Sequence, residues 1–155
     1  IRASIPTTAG TQDFTYTGFG TPKAVMVLIS GGISDGTRVN EARWSYGVSD
    51  GTRQRVISNR ERNGVADSDT ARAVGSDKVA LIIDHRNLAY DVQGNFDSWV
   101  TDGVRINWSV VDGNAYKATI ILFGGDDCQA YVNEFDVPDG FAGQTLDVTD
   151  PVFPR

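Results

Sequence analysis

The chain has 155 residues, 40% of them hydrophobic and 22% charged, with a formal net charge of −6 and a sequence pI of about 4.6. This is the size of one ordinary domain, and a chain of this length can bury roughly 70% of the surface it exposes when unfolded, so it needs no covalent staple. The acidic balance argues against nucleic-acid backbones and anionic lipid, both of which call for a basic face, and favours a neutral or basic partner.

Strand signals run from the N-terminus. Phe14-Thr15-Tyr16-Thr17 alternates aromatic and β-branched residues. Residues 24–29 form a continuous apolar run, expected of a strand covered on both faces. In residues 42–48 a period of two puts Trp44, Tyr46 and Val48 on one face, read as core. Residues 53–60 read as a more polar strand or a sheet edge, and residues 58–77 as a long polar connection, a binding or mobile loop. Residues 79–83 are a second buried run. Residues 104–110 alternate cleanly, with Val104, Ile106, Trp108 and Val110 expected inward. Residues 119–123 and 131–135 complete the series. No stretch carries the spacing of an amphipathic helix.

Turn chemistry agrees. The tetrapeptide Ser-Asp-Gly-Thr occurs at Ser34 and again at Ser49, and Asp102-Gly103, Asp112-Gly113 and Asp139-Gly140 are further Asp-Gly pairs suited to tight hairpins. Short strands joined by such turns predict an all-β fold, an antiparallel β-sandwich of jelly-roll type. Residues 1–136 are expected to form the sandwich. Residues 137–155 are expected to be a C-terminal strand, or the start of a second repeat or linker.

That expectation rests on the two ends of the chain. Ile5-Pro6, Gln12, Phe14, Phe19 and Pro22-Lys23 find counterparts of the same type and order in Val137-Pro138, Gln144, Leu146, Phe153 and Pro154-Arg155. The first residue is Ile1 rather than Met, which reads as a processed chain or a piece of a longer one.

No catalytic constellation is visible. His85 is the only histidine, follows an apolar run, and lacks a nucleophile motif to serve, so it reads as a strand-end residue. Cys128, the only cysteine, excludes an intrachain disulfide and a thiolate zinc site, and reads as a small buried hydrophobe. Asp67, Asp69, Asp77, Asp126 and Asp127 read as solvated turn acids without the ordered spacing of a calcium loop. No cofactor is expected. Trp44 and Trp108 read as core, whereas Trp99 could lie at the surface. Arg53, Arg55, Arg60, Arg62 and Arg72 form a positive stretch on an acidic protein. With Trp99, Asp126 and Asp127, they are the candidate subunit-contact or ligand residues.

Four segments, residues 15–25, 34–37, 97–108 and 115–127, together give an order of motifs that resembles the β-rich surface domains of tailed-bacteriophage virion proteins, of decoration or fibre type. The layout is more loosely similar to H-type lectins. The resemblance implies a non-enzymatic virion structural protein, made in the host cytoplasm and carried on the virion surface. It implies assembly as a homo-oligomer, with a trimer the first expectation, alongside other virion proteins, and no nucleic-acid or membrane partner. The alternative it implies is an extracellular, lectin-type adhesion module that binds a surface glycan.

Overall fold

A computed structural model describes residues 1–65, 67, 69–84 and 86–134. The readings placed on His85, on Asp139-Gly140 and on residues 137–155 therefore lie outside the described residues. The described chain is all-β: β1 (Arg2–Ser4), β2 (Gly10–Thr15), β3 (Ala24–Ser30), β4 (Ala42–Ser49), β5 (Gln54–Glu61), β6 (Thr70–Gly75), β7 (Ala80–Ile83), β8 (Tyr90–Val100), β9 (Gly103–Val111) and β10 (Lys117–Phe123). They pair antiparallel in two sheets, a six-stranded one in the order β1-β10-β3-β4-β5-β6 and a four-stranded one in the order β2-β9-β8-β7. The sheets pack face to face, as the sequence predicts.

Inward residues of both sheets build the core: Val25, Val27 and Ile29 from β3, Ala118 and Ile120 from β10, Phe14 from β2, and Val104, Ile106 and Trp108 from β9. Trp108 is fully buried and meets Phe14 edge to face, with ring centroids 6.4 Å apart. Its ring lies directly over Gly94, where a Cβ would come within 2.8 Å of the indole. A fully buried indole of this kind is the largest single apolar contribution such a core can receive.

All four residues of β7 are buried although β7 is the last strand of its sheet. The apolar run was legible as doubly covered, and the facing sheet supplies the second cover. β4 turns Ser45, Gly47 and Ser49 inward, and these small residues leave room for β7. The Val79 carbonyl comes so close that a Cβ on Gly47 would sit 1.8 Å from its oxygen.

This arrangement corrects the reading of β4. Trp44, Tyr46 and Val48 do share a face, but it is the outer one, and Tyr46 is exposed. A period of two separates two faces without saying which is inside. The choice is made by β7, which leaves no space for an indole. The reading of Val110 is corrected by a bulge. Gln93 pairs with Val110 but Gly94 pairs with Trp108, so Ser109 is an extra residue and Val111, not Val110, packs on the core.

Four further expectations change. β5 lies between β4 and β6 and is not an edge. Residues 58–77 are largely the β5–β6 hairpin rather than a long loop, because Ser58 and Arg60 point inward, where the Ser58 hydroxyl and Arg60 Nη2 find partners. The Ser58 hydroxyl donates to the Trp44 carbonyl at 3.0 Å. Residues 131–134 carry no strand and pass over other elements as a strap. Cys128, at the start of that strap, is half-buried rather than core.

The Asp-Gly turns are also more varied than a single hairpin type. Gly51 takes a positive φ, as expected. In the β8–β9 turn it is Asp102 that has φ 63°, held by Gly18 and Gly20 amides donating to its carboxylate at 3.1 and 2.8 Å. Gly103 is required for a different reason, since a Cβ there would lie 2.0 Å from the Phe14 carbonyl oxygen.

Candidate functional site

The outer face of the six-stranded sheet is the most unusual surface of the molecule. The strand register places Val74, Ile57, Tyr46 and Leu28 in one row across four strands, from β6 to β3. Val74 is 82% exposed, Ile57 52% and Tyr46 46%. A second row runs through Ile121, Met26 and Val48 to Arg55, and Phe123 lies beside them at the end of β10. Trp44 continues the face, its ring tilted against Tyr46 at 4.7 Å. With strands about 4.8 Å apart, this is an apolar area of roughly 400 Å² in projection. Patches of a few hundred Å² on a monomer commonly mark interaction sites.

The cations of this face lie at its margin. Arg72 is exposed on β6 beside the Asn59 position of β5, and Arg55 is half-buried beside Val48. Arg55 donates to the carbonyls of Gln54 and Ser76 and pairs with Glu134 at 3.0 Å. Glu61 lies at the far end of β5 on the same face.

The strap of residues 128–134 crosses one end of this surface. Together with Ala24, Val48 and Phe123 it lines a shallow cleft. Three contacts fasten it to the β4–β5 turn. The Val132 amide donates to Asp50 Oδ2 at 2.8 Å, the Arg53 guanidinium stacks on the Tyr131 ring at 4.7 Å, and Glu134 meets Arg55. Asp50 Oδ1 accepts the Thr52 and Arg53 amides. Burial pushes the Asp50 carboxyl up, but three amide donors and the Arg53 charge outweigh it and hold the group below its ordinary value.

The eight residues singled out in the sequence separate into groups. Arg53, Arg55 and Trp99 gather around the β4–β5 turn, where Trp99 packs on Phe96 at 4.7 Å and covers Gly51. Arg62 and Arg72 are exposed. Asp126 and Asp127 are exposed where the chain leaves β10 for the strap, and the Asp126 carbonyl accepts from Lys23 Nζ at 3.2 Å. Arg60 is interior, 3% exposed, and pairs with Asp69 at 3.0 Å. It belongs to the packing of the β5–β6 hairpin and not to a surface. Asp69, read as a solvated acid, is its partner.

Sequence reasoning missed Ile57, Val74 and Tyr46 as surface residues. The signal available was the pair Val56-Ile57, apolar on both faces of one strand, which places an apolar residue outside whichever face is core.

At the opposite end of the sandwich a polar network closes the layers. Arg43 donates to Asp91 at 2.6 Å and stacks on the Tyr116 ring, while the Tyr116 hydroxyl donates to Asp112 at 2.6 Å. Burial, and then the bond to Asp112, raise the Tyr116 hydroxyl well above its ordinary range, so it acts as a donor at any physiological pH. Every member already has a partner within the fold, which makes this a structural tie. No family model, no curated protein and no solved structure gives a significant match to this chain.

Proposed function

We propose that the protein is a non-enzymatic structural module of a virion surface, a capsid decoration or fibre unit, that works by packing against copies of its own fold. The observation that carries the assembly part is the apolar outer face of the six-stranded sheet. Its centre has no carboxylate, whereas the chain as a whole carries a net charge of −6. Copies repel one another elsewhere, and this face, with Arg55 and Arg72 at its margin, is where an acidic copy can approach. The virion setting is supported by the resemblance of the sequence motifs alone.

Sedimentation of the full chain tests the assembly reading. A concentration-dependent oligomer is expected, and the double variant Ile57→Asp/Val74→Asp should be monomeric with unchanged thermal stability, since both side chains already face water. A wild-type chain that stays monomeric at about 100 μM, where interfaces of standard size are populated, defeats it. The exposed Tyr46 with Trp44 tilted against it, beside the polar loop of residues 31–41, supports glycan stacking as a second reading. A glycan array on wild type and Trp44→Ala separates the two.

A further inference from the structure

One corner of the outer face differs from the apolar rows beside it. Trp44 of β4, Ser30 of β3 and Lys117 of β10 lie there in a line across three strands. Ser30 pairs with Trp44, and Lys117 adjoins Ala118, the partner of Ile29. At the spacing of paired strands the line is roughly 10 Å long. Tyr46, two residues along β4, is tilted against Trp44 at 4.7 Å. These side chains floor a cleft of about 480 Å³, and the loop of residues 31–41 walls it, bringing Ser34 and Thr37 to its lining. The loop is pinned on both flanks. The Gly31 amide donates to the Arg43 carbonyl at 2.7 Å, the Gly32 carbonyl accepts the Lys117 amide at 2.8 Å, and Asp35 pairs with Arg2.

The cations of this cleft are not equally engaged. Arg2 is held by Asp35, and Arg43 by Asp91 at 2.6 Å. Lys117 Nζ donates to the Ser4 hydroxyl at 2.8 Å, and no carboxylate meets it among the described residues. A half-buried ammonium with one neutral partner keeps donors for an anion, and a bond to a charged acceptor is roughly twice as strong as one to a hydroxyl. The chain as a whole carries a net charge of −6, so no long-range field draws an anion in. A preference for one has to arise at Lys117 itself, at a range shorter than the Debye length of about 8 Å.

We infer that this cleft takes an acidic sugar residue, its ring on the Trp44 face, its hydroxyls toward Ser30, Ser34 and Thr37, and its anionic group at Lys117. The inference rests on the glycan reading above and names the class of sugar. A six-membered sugar ring with an exocyclic carboxylate or sulfate covers the line from Trp44 to Lys117 once a charge-assisted hydrogen bond of about 2.8 Å is added. An aromatic face receives the C–H face of a sugar whatever charge the sugar carries elsewhere. Affinity for the ring and preference for the acid therefore belong to different residues, the usual division in a concave site between an apolar platform and a few placed polar groups.

The test titrates the full chain with methyl glucoside, methyl glucuronide and methyl glucoside 6-sulfate, which differ only at the exocyclic group, and follows tryptophan fluorescence and backbone amide shifts. At least one acidic sugar should bind about tenfold more tightly than the glucoside, and which one does so separates carboxylate from sulfate. The advantage should shrink in about 1 M salt. Lys117→Gln should abolish it while leaving glucoside affinity unchanged. Lys23→Gln, the same loss of charge at the opposite end of β3, should preserve it. Trp44→Ala should weaken all three sugars. Melting temperatures check that each variant is folded. Equal binding of acidic and neutral sugars, or an advantage that survives Lys117→Gln, overturns the inference and leaves the glycan reading standing. Absence of any sugar binding, in these titrations and on the glycan array, overturns both.

Discussion

The Ser45 hydroxyl accepts the Leu81 amide at 3.0 Å, across the gap between the two sheets. Leu81 belongs to the last strand of its sheet, so this amide faces no neighbouring strand, and a side chain of the opposite layer takes the role of one. Ser45→Ala should therefore cost about 1–3 kcal/mol, the penalty of a buried donor left without a partner. Gly47→Ala should cost more, because its methyl group would have to displace the Val79 carbonyl. Urea unfolding of both variants checks the order. Equal, near-zero losses would mean that β7 is not locked to β4.

The two tryptophans in inward-reading patterns should behave oppositely. Trp108→Ala should lose about 3–5 kcal/mol, the range for removing a large buried side chain. Trp44→Ala, on the outer face, should stay within about 1 kcal/mol. Chemical denaturation gives both values, and similar losses would show that the two faces of β4 are wrongly assigned.

Acid should loosen the strap before it unfolds the sandwich. At pH 5 and above Asp50 is ionised in folded and unfolded chain alike, and its contribution is complete. Its folded value is lowered, so the unfolded chain takes up its proton first, near pH 3.9. The contribution is lost as the pH falls on through the folded value. Hydrogen exchange at the Val132 amide should accelerate over that range, and in Asp50→Asn the acceleration should disappear. A Val132 amide whose protection ignores pH down to unfolding contradicts the tie.

Bidentate pairing of Arg105 with Asp13, at 2.6 and 2.9 Å, ties β2 to β9 and, through that direct bond first, holds the Asp13 carboxyl below its ordinary value. Both groups are partly exposed, so solvent screens the pair and it adds little to stability. Asp13→Asn should scarcely move the melting temperature. Its effect should appear instead as faster amide exchange along β2.

The class of fold was readable because alternation and Asp-Gly turns are local properties, and every apolar run found its strand. What could not be read was set by partners distant in sequence. Trp44 faces outward because residues 79–83 occupy the space inside. Val110 is turned away by one extra residue at Ser109, which only the register with β8 reveals. Arg60 looks like one of a line of surface cations and is interior because Asp69, on the hairpin's return, reaches it. The candidate surface was half legible for the same reason. Arg55 and Arg72 were visible as charges, but Ile57 and Val74 look like core until the pairing of β5 and β6 assigns their side.

The sealing of β7 also sets the order in which the molecule can be made safely. Its free margin is masked only when the two layers have met, and that step joins residues far apart in the chain, which makes it slow. Until then residues 79–83 are a bare, uncharged, aggregation-prone segment with an open strand edge. Refolding yield should therefore fall steeply with protein concentration even though the finished molecule hides this strand completely, and a chaperone or a slow rate of synthesis would act on that interval.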